Sequence, residues 1–194
     1  MNRILRSARI AGRRVPGRPV RLLAAAAAVT VSLTMLTGCG ALLDGMSSGE
    51  EAPRDEPGGE ITASAEADAF AILKGDCIDL NALDGYAESA DGEDFEVETV
   101  PVVPCSEDHT GEVFAELIME GDEYPGDAAM STQFDEWCYD EFEKFVGVPL
   151  EESMYLYTGF YPTQATWEQL DDRTLQCIVS SETPVKGSLA GVAQ

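Results

Sequence analysis

The first 38 residues bound everything this chain can fold into. Residues 1–21 carry seven arginines (Arg3, Arg6, Arg9, Arg13, Arg14, Arg18 and Arg21) and no acid. An apolar run of 15 residues, Leu22 to Leu36, follows and contains five consecutive alanines, Ala24 to Ala28. Thr37 and Gly38 then lead to Cys39. A basic stretch, a short apolar stretch and small residues before a cut describe a secretory leader. A membrane span needs about 20 apolar residues, so this run is short for one. Arg13-Arg14 continues into Val15-Pro16-Gly17, a poor fit to a twin-arginine signal. The pattern predicts that residues 1–38 are removed and that the remaining 156 fold outside the cytoplasm.

The sequence Leu36-Thr37-Gly38-Cys39 also resembles the lipobox of bacterial lipoproteins. The resemblance implies that the Cys39 thiol receives a diacylglyceryl group and becomes the first residue after cleavage. Two lipid chains suffice for stable anchoring. The expected partner is therefore the membrane, reached through lipid on Cys39, and the expected location is the outer face of the cytoplasmic membrane.

The leader holds seven of the 12 basic residues and none of the 36 acids. The rest of the chain keeps Arg54, Lys74, Lys144, Arg173 and Lys186 as its cations, a formal charge of −31. Nucleic-acid binding needs clustered cations to neutralise phosphates, so no nucleic-acid partner is expected. An anionic lipid surface would also repel the body, leaving attachment to Cys39.

Cys77, Cys105, Cys138 and Cys177 remain as an even set. In an oxidising compartment such a set predicts two disulfides. Composition divides the chain around them. Residues 39–69, with Gly, Pro, Ser and acid and no apolar periodicity, read as a tether. Residues 70–180 read as one domain large enough for a single core. Residues 181–194 read as a flexible tail.

Within the domain, a strand is expected at Cys77-Ile78-Asp79-Leu80, then a loop over 81–94. Phe95, Val97 and Thr99 alternate with Glu96 and Glu98, the period of a strand. Val100-Pro101-Val102-Val103-Pro104 reads as an edge or a strand end, because proline cannot donate to a ladder. Val113 to Met119 carries apolar residues on both faces and reads as a central strand. Met130, Phe134, Trp137, Cys138, Phe142, Phe145 and Val146 recur at three and four, predicting a helix capped by Asp127 and stopped by Gly147 and Pro149. Met154–Tyr161 and Arg173–Ser180 read as strands around a short helix within 162–170. The fold class is α+β, an antiparallel sheet with one main helix packed on it and two disulfides.

This order selects a connectivity. Cys77 opens the first strand and Cys105 ends the second, so an antiparallel hairpin sets them side by side. Cys138 lies on the helix stripe and Cys177 on the strand face of Leu175 and Val179, so helix-on-sheet packing joins them.

Gly75-Asp76-Cys77, Val102-Val103-Pro104-Cys105, His109 and Glu112-Val113 resemble the septum formation domain of actinobacterial envelope proteins. Cys138 in a helix, Tyr161-Pro162, Trp167 and Asp172-Arg173 four residues before Cys177 extend the likeness over about residues 73–179. The family carries glycine before Asp-Arg, where this chain has Asp171. The resemblance implies a link to division or envelope assembly, and no catalytic activity.

The residues mark no reaction. His109 is the one histidine, four residues after a cysteine expected to be bridged, so it reads as a structural residue that hydrogen-bonds a turn. Zinc would need two further nitrogen or sulfur ligands, and no G-x-S-x-G motif accompanies a hydrolase triad. The acidic runs 91–94 and 120–123 lack the EF-hand ligand order. Met154-Tyr155-Leu156-Tyr157 with Phe160-Tyr161 suits either an interface or the core, and Asp172-Arg173 reads as an ion pair fixing the last turn. The sequence therefore predicts a non-enzymatic binding or scaffolding domain of the cell envelope without metal or cofactor. Its expected partner is an envelope or division protein. The alternative is a small-ligand or ion-binding lipoprotein, which needs a pocket of roughly 300 Å³ or more.

Overall fold

The computed structural model describes residues 8–10, 51–83 and 96–194. Its strands are β1 (Ala8–Ile10), β2 (Ala65–Asp68), β3 (Cys77–Ile78), β4 (Glu96–Val97), β5 (Thr99–Val103), β6 (His109–Ile118), β7 (Leu156–Tyr161) and β8 (Thr174–Val185). The helices are α1 (Asp127–Val146) and α2 (Gln164–Leu170). The sheet order is β2-β5-β3-β6-β8-β7-β1-β4. The six strands from β2 to β7 pair antiparallel, and β1 joins β7 and β4 in parallel. This is the expected α+β class, with β6 inside the sheet between β3 and β8.

Helix α1 buries Met130, Phe134, Cys138, Phe142 and Val146, one residue every four, as a single stripe. The stripe lies on Phe114, Tyr157, Tyr161, Leu175, Cys177 and Val179. Burying each large apolar side chain contributes roughly 1.5–3 kcal/mol. The N-cap is Gly126, and Asp127 is the first helical residue, placing its charge at the positive end of the helix dipole. Gly147 is left-handed at φ 94° and ends the helix. Phe134 also explains Gly159 of β7: a Cβ there would overlap the Gln176 carbonyl and press on the Phe134 ring.

The opposite sheet face has its own apolar layer, in which Val100, Val102, Val113, Phe160 and Ile178 cluster with Ile72 and Leu80. Part of it comes from residues read as tether. Ala67 and Ala69 are fully buried, and β2 pairs with β5 through Ala65↔Val102 and Asp68↔Thr99. Strand β5 is therefore internal, lying between β2 and β3. Pro101 is tolerated because β3 ends at Ile78, and the Pro101 carbonyl accepts from the Asp79 amide beyond that end at 2.9 Å. The missing proline donor thus falls where β3 has no ladder left to pair.

Both disulfides have the expected connectivity. Cys77–Cys105 joins the β3 and β5 ends with Cα atoms 5.2 Å apart, and Cys138–Cys177 joins α1 to β8 at 5.5 Å. With separations of 28 and 39 residues, each stabilises by roughly 3.5–4 kcal/mol in the chain-entropy account.

The segment read as a flexible tail is folded. Strand β8 runs on to Val185, and Leu189 is buried. The amides of Gly191 and Ala193 donate to Phe145 O and Val146 O at 2.7 and 2.9 Å. Those are carbonyls that a helix C-terminus leaves without an intrahelical partner.

Candidate functional site

Three places gather polar side chains. The first is the corner between α2 and β8. Thr163 caps α2 by accepting from the Thr166 amide at 3.1 Å, and the Thr166 hydroxyl accepts from the Thr163 amide at 2.9 Å. The Thr166 hydroxyl also donates to Asp172 Oδ2 at 3.1 Å, while Asp172 Oδ1 accepts from the Thr174 amide at 3.0 Å. Burial pushes the Asp172 carboxyl above its ordinary range, against the opposing effects of these two hydrogen bonds and of Arg173.

Arg173 does not pair with the Asp172 carboxylate as expected. Asp172 turns inward, and the guanidinium pairs with exposed Asp171 at 3.0 Å. The same guanidinium stacks 3.9 Å from the Trp167 ring centroid and donates to the carbonyls of Gly121 and Trp167. One side chain thus joins the β6–α1 loop to the α2–β8 turn. Each nitrogen of the guanidinium contacts an oxygen of the protein itself, so the corner is a brace.

The second place surrounds the Cys77–Cys105 bridge. Asp76 is buried, and the Arg54 guanidinium forks onto it with both contacts at 2.6 Å. Arg54 also donates to Gly59 O, and Asp76 accepts from the Leu73 amide. Glu112 is buried as well, accepting from Ser188 Oγ at 2.7 Å and the Leu189 amide at 2.6 Å. A cleft of about 600 Å³ lies between these groups, with Glu60, Lys74 and Ser106 on its wall. Its two buried carboxylates are already committed to internal donors.

His109, 1 % exposed, stands at the start of β6. A carbonyl only accepts, so Nε2 donates to Gly187 O at 3.0 Å, leaving Nδ1 buried without a partner. The Gly187 amide in turn donates to Cys105 O. His109 thus holds the turn between β8 and the tail.

The third place is the exposed side of α1. Asp135, Glu136, Tyr139 and Asp140 border a shallow depression of about 460 Å³ whose floor is Tyr157. Burial, with a smaller effect from Asp135, pushes the Tyr157 phenol up to about 12, so it stays protonated at neutral pH. Tyr155, Tyr157, Phe160 and Tyr161 are all buried, which makes the aromatic strand core. Met154 is its exposed member.

Of the acidic runs, 120–123 uses its main chain: Asp122 O accepts from Trp167 Nε1 at 3.2 Å and Gly121 O from Arg173 Nε at 3.3 Å. The run 91–94 and Cys39 lie outside the described residues. Among the described residues, no three His, Cys, Asp or Glu side chains gather as a metal set. The Arg54–Asp76 and Glu112–Leu189 pairs were missed in the sequence because their partners lie 22 and 77 positions apart.

The fold and these sites define a small, doubly bridged α+β domain whose buried polar groups lock loops together. The model of the family described as septum formation matches residues 63–193. The chain therefore belongs to that family. No curated protein and no solved structure matches it.

Proposed function

We propose that this protein is a lipid-anchored, extracytoplasmic component of the cell envelope, linked to septum formation and working by binding or scaffolding without catalysis. The family match carries the link to the septum. The two disulfides support an oxidising compartment, and the Leu36-Thr37-Gly38-Cys39 pattern supports the anchor. A binding role is favoured because the buried ionisable groups Asp76, Glu112 and Asp172 are each held by internal donors. Catalytic groups are instead poised toward a substrate.

The test is cross-linking in intact cells followed by capture of the protein and imaging of its position. The account expects enrichment at division sites and a cross-linked envelope or division protein. Uniform distribution in dividing cells, with no cross-linked protein, would contradict it.

The cleft beside Cys77–Cys105 favours a second reading, a small-ligand or ion-binding lipoprotein. At about 600 Å³ it exceeds the minimum such a role needs. Its free polar wall, Lys74, Glu60 and Ser106, suits a small zwitterion. Stoichiometric ligand co-purifying with the protein, lost in Lys74→Ala, would favour this reading over scaffolding.

A further inference from the structure

We propose that the Cys77–Cys105 bridge is a thiol–disulfide exchange site, opened through the cleft beside it by an external cationic thiol that attacks Cys105 Sγ. Exchange requires a thiolate to reach one sulfur of a bridge, and the two bridges differ in that access. Cys138 and Cys177 are both 0 % exposed, inside the apolar layer under α1. Cys77 is equally buried, but Cys105 is partly exposed, the one such cysteine among the described residues.

Both cysteines of this bridge stand on the wall of the cleft of about 600 Å³. That volume is above the lower limit of a small-molecule pocket, roughly 300 Å³. The wall is open at Gly75 and Gly187, where an added Cβ would meet nothing within 4 Å. A small thiol therefore reaches Cys105 without unfolding of the domain. Cys138–Cys177 has α1 packed over it, so the helix must leave the sheet before a thiolate meets either sulfur.

In the exchange, the attacking thiolate forms an S–S bond to Cys105 as the Cys77–Cys105 bond breaks. The electron pair leaves on Cys77 Sγ, which takes a proton from solvent. A second external thiolate then attacks the mixed disulfide at the sulfur of the first. It releases the disulfide of the two external thiols and leaves Cys105 to be protonated. The bridge gains two electrons and the two thiols lose them.

Charge selects the thiol. The cleft wall carries Glu60, Asp76 and Glu112 against Lys74. Arg54 pairs with Asp76, which leaves two carboxylates against one ammonium. Residues 39–194 as a whole hold 36 acids and five cations. A field of this sign concentrates cations and repels anions, changing encounter rates by about tenfold or more at low salt. A thiol bearing an ammonium is therefore favoured over one bearing a carboxylate.

The test exposes the detergent-extracted full chain, under native conditions, to cysteamine or to mercaptoacetate. Acid quenching, alkylation of free thiols and peptide mapping follow the reaction. Each rate is divided by that thiol's rate with a small neutral disulfide, which removes differences in thiolate fraction and nucleophilicity. Cysteamine should appear first as a mixed disulfide on Cys105, with Cys77 alkylated and Cys138 and Cys177 unlabelled. Its normalised rate should exceed that of mercaptoacetate by about tenfold at low salt, and the ratio should fall toward one at about 1 M salt. Opening of both bridges together overturns the exchange site. So does opening of Cys77–Cys105 only at the rate of global unfolding, followed by tryptophan fluorescence. A first adduct on Cys77 overturns the direction of attack. Equal normalised rates at low salt overturn the selection of a cationic thiol.

Discussion

Asp171 sits at φ 56° and ψ 29°, in the left-handed region at the end of α2. That region costs a residue with a Cβ about 1–2 kcal/mol, less for Asp, and glycine far less. The family's glycine at this point thus has a physical reason, and Asp171 keeps the same turn at an energetic cost. Asp171→Gly should raise stability by about 0.5–1 kcal/mol in denaturant titration. The lost contact with Arg173 subtracts little, because Asp171 is 90 % exposed. A fall in stability would mean that the ion pair outweighs the backbone term.

Its neighbour Asp172 carries a pH dependence. Burial raises its folded-state pKa above the ordinary 3.8. Over that window the native chain holds a proton that the unfolded chain has released. Its contribution to stability is complete below 3.8 and falls as pH rises through the folded-state value. Asp172→Asn keeps an acceptor for the Thr174 amide and removes the titration. Unfolding free energy measured against pH should decline less steeply in the variant than in the wild type just above pH 4. Identical slopes would show that Asp172 titrates normally.

At the scale of elements, the long periodic segments were legible and the short-residue ones were not. Helix α1 announced itself through large side chains at spacing four, and β8 through Leu175, Cys177 and Val179. Strand β2 did not, although Ala65, Ala67 and Ala69 alternate with Glu66, Asp68 and Phe70. Alanine supplies little hydrophobic signal, while burial of Ala67 and Ala69 depends on how closely β5 approaches. The tail was obscure for a related reason. Its order comes from amides that complete the end of α1 and hold Glu112, and main-chain donors leave no mark in a sequence.

Each segment has a decisive substitution. Arg54 anchors residues 51–62 to Asp76, and its side chain is 11 % exposed. Arg54→Met should cost about 3 kcal/mol, because it leaves a buried carboxylate without its cation. Proteolysis should then cut within 51–62 first; a variant as resistant and stable as the wild type would show the anchor to be dispensable. Deleting residues 187–194 should cost at least about 3 kcal/mol through the burial of Leu189 and the hydrogen bonds to Phe145, Val146 and Glu112. A thermal melt unchanged by the deletion would contradict the docked tail.

At the scale of the whole molecule, two apolar layers share one sheet, and the two disulfides fasten different parts of it. Cys138–Cys177 is within the helix layer, and Cys77–Cys105 closes the far end where the Arg54 and Glu112 networks meet. The sequence allowed this pairing to be chosen because the strand order placed each cysteine at an end or on a face. It did not reveal the cleft beside the first bridge, which needs the folded tail and the segment before β2 for its walls. Two bridges and the buried Arg54–Asp76 and Glu112 networks suit such a body to holding its shape.

The central claim is that this body is delivered to the membrane and held there by Cys39. Mass spectrometry of the N-terminal peptide from detergent-extracted protein tests it most directly. The account predicts a mature chain beginning at Cys39 with a diacylglyceryl thioether on its sulfur. An extracted chain with an unmodified Cys39, or one that still carries residues before it, would contradict the claim.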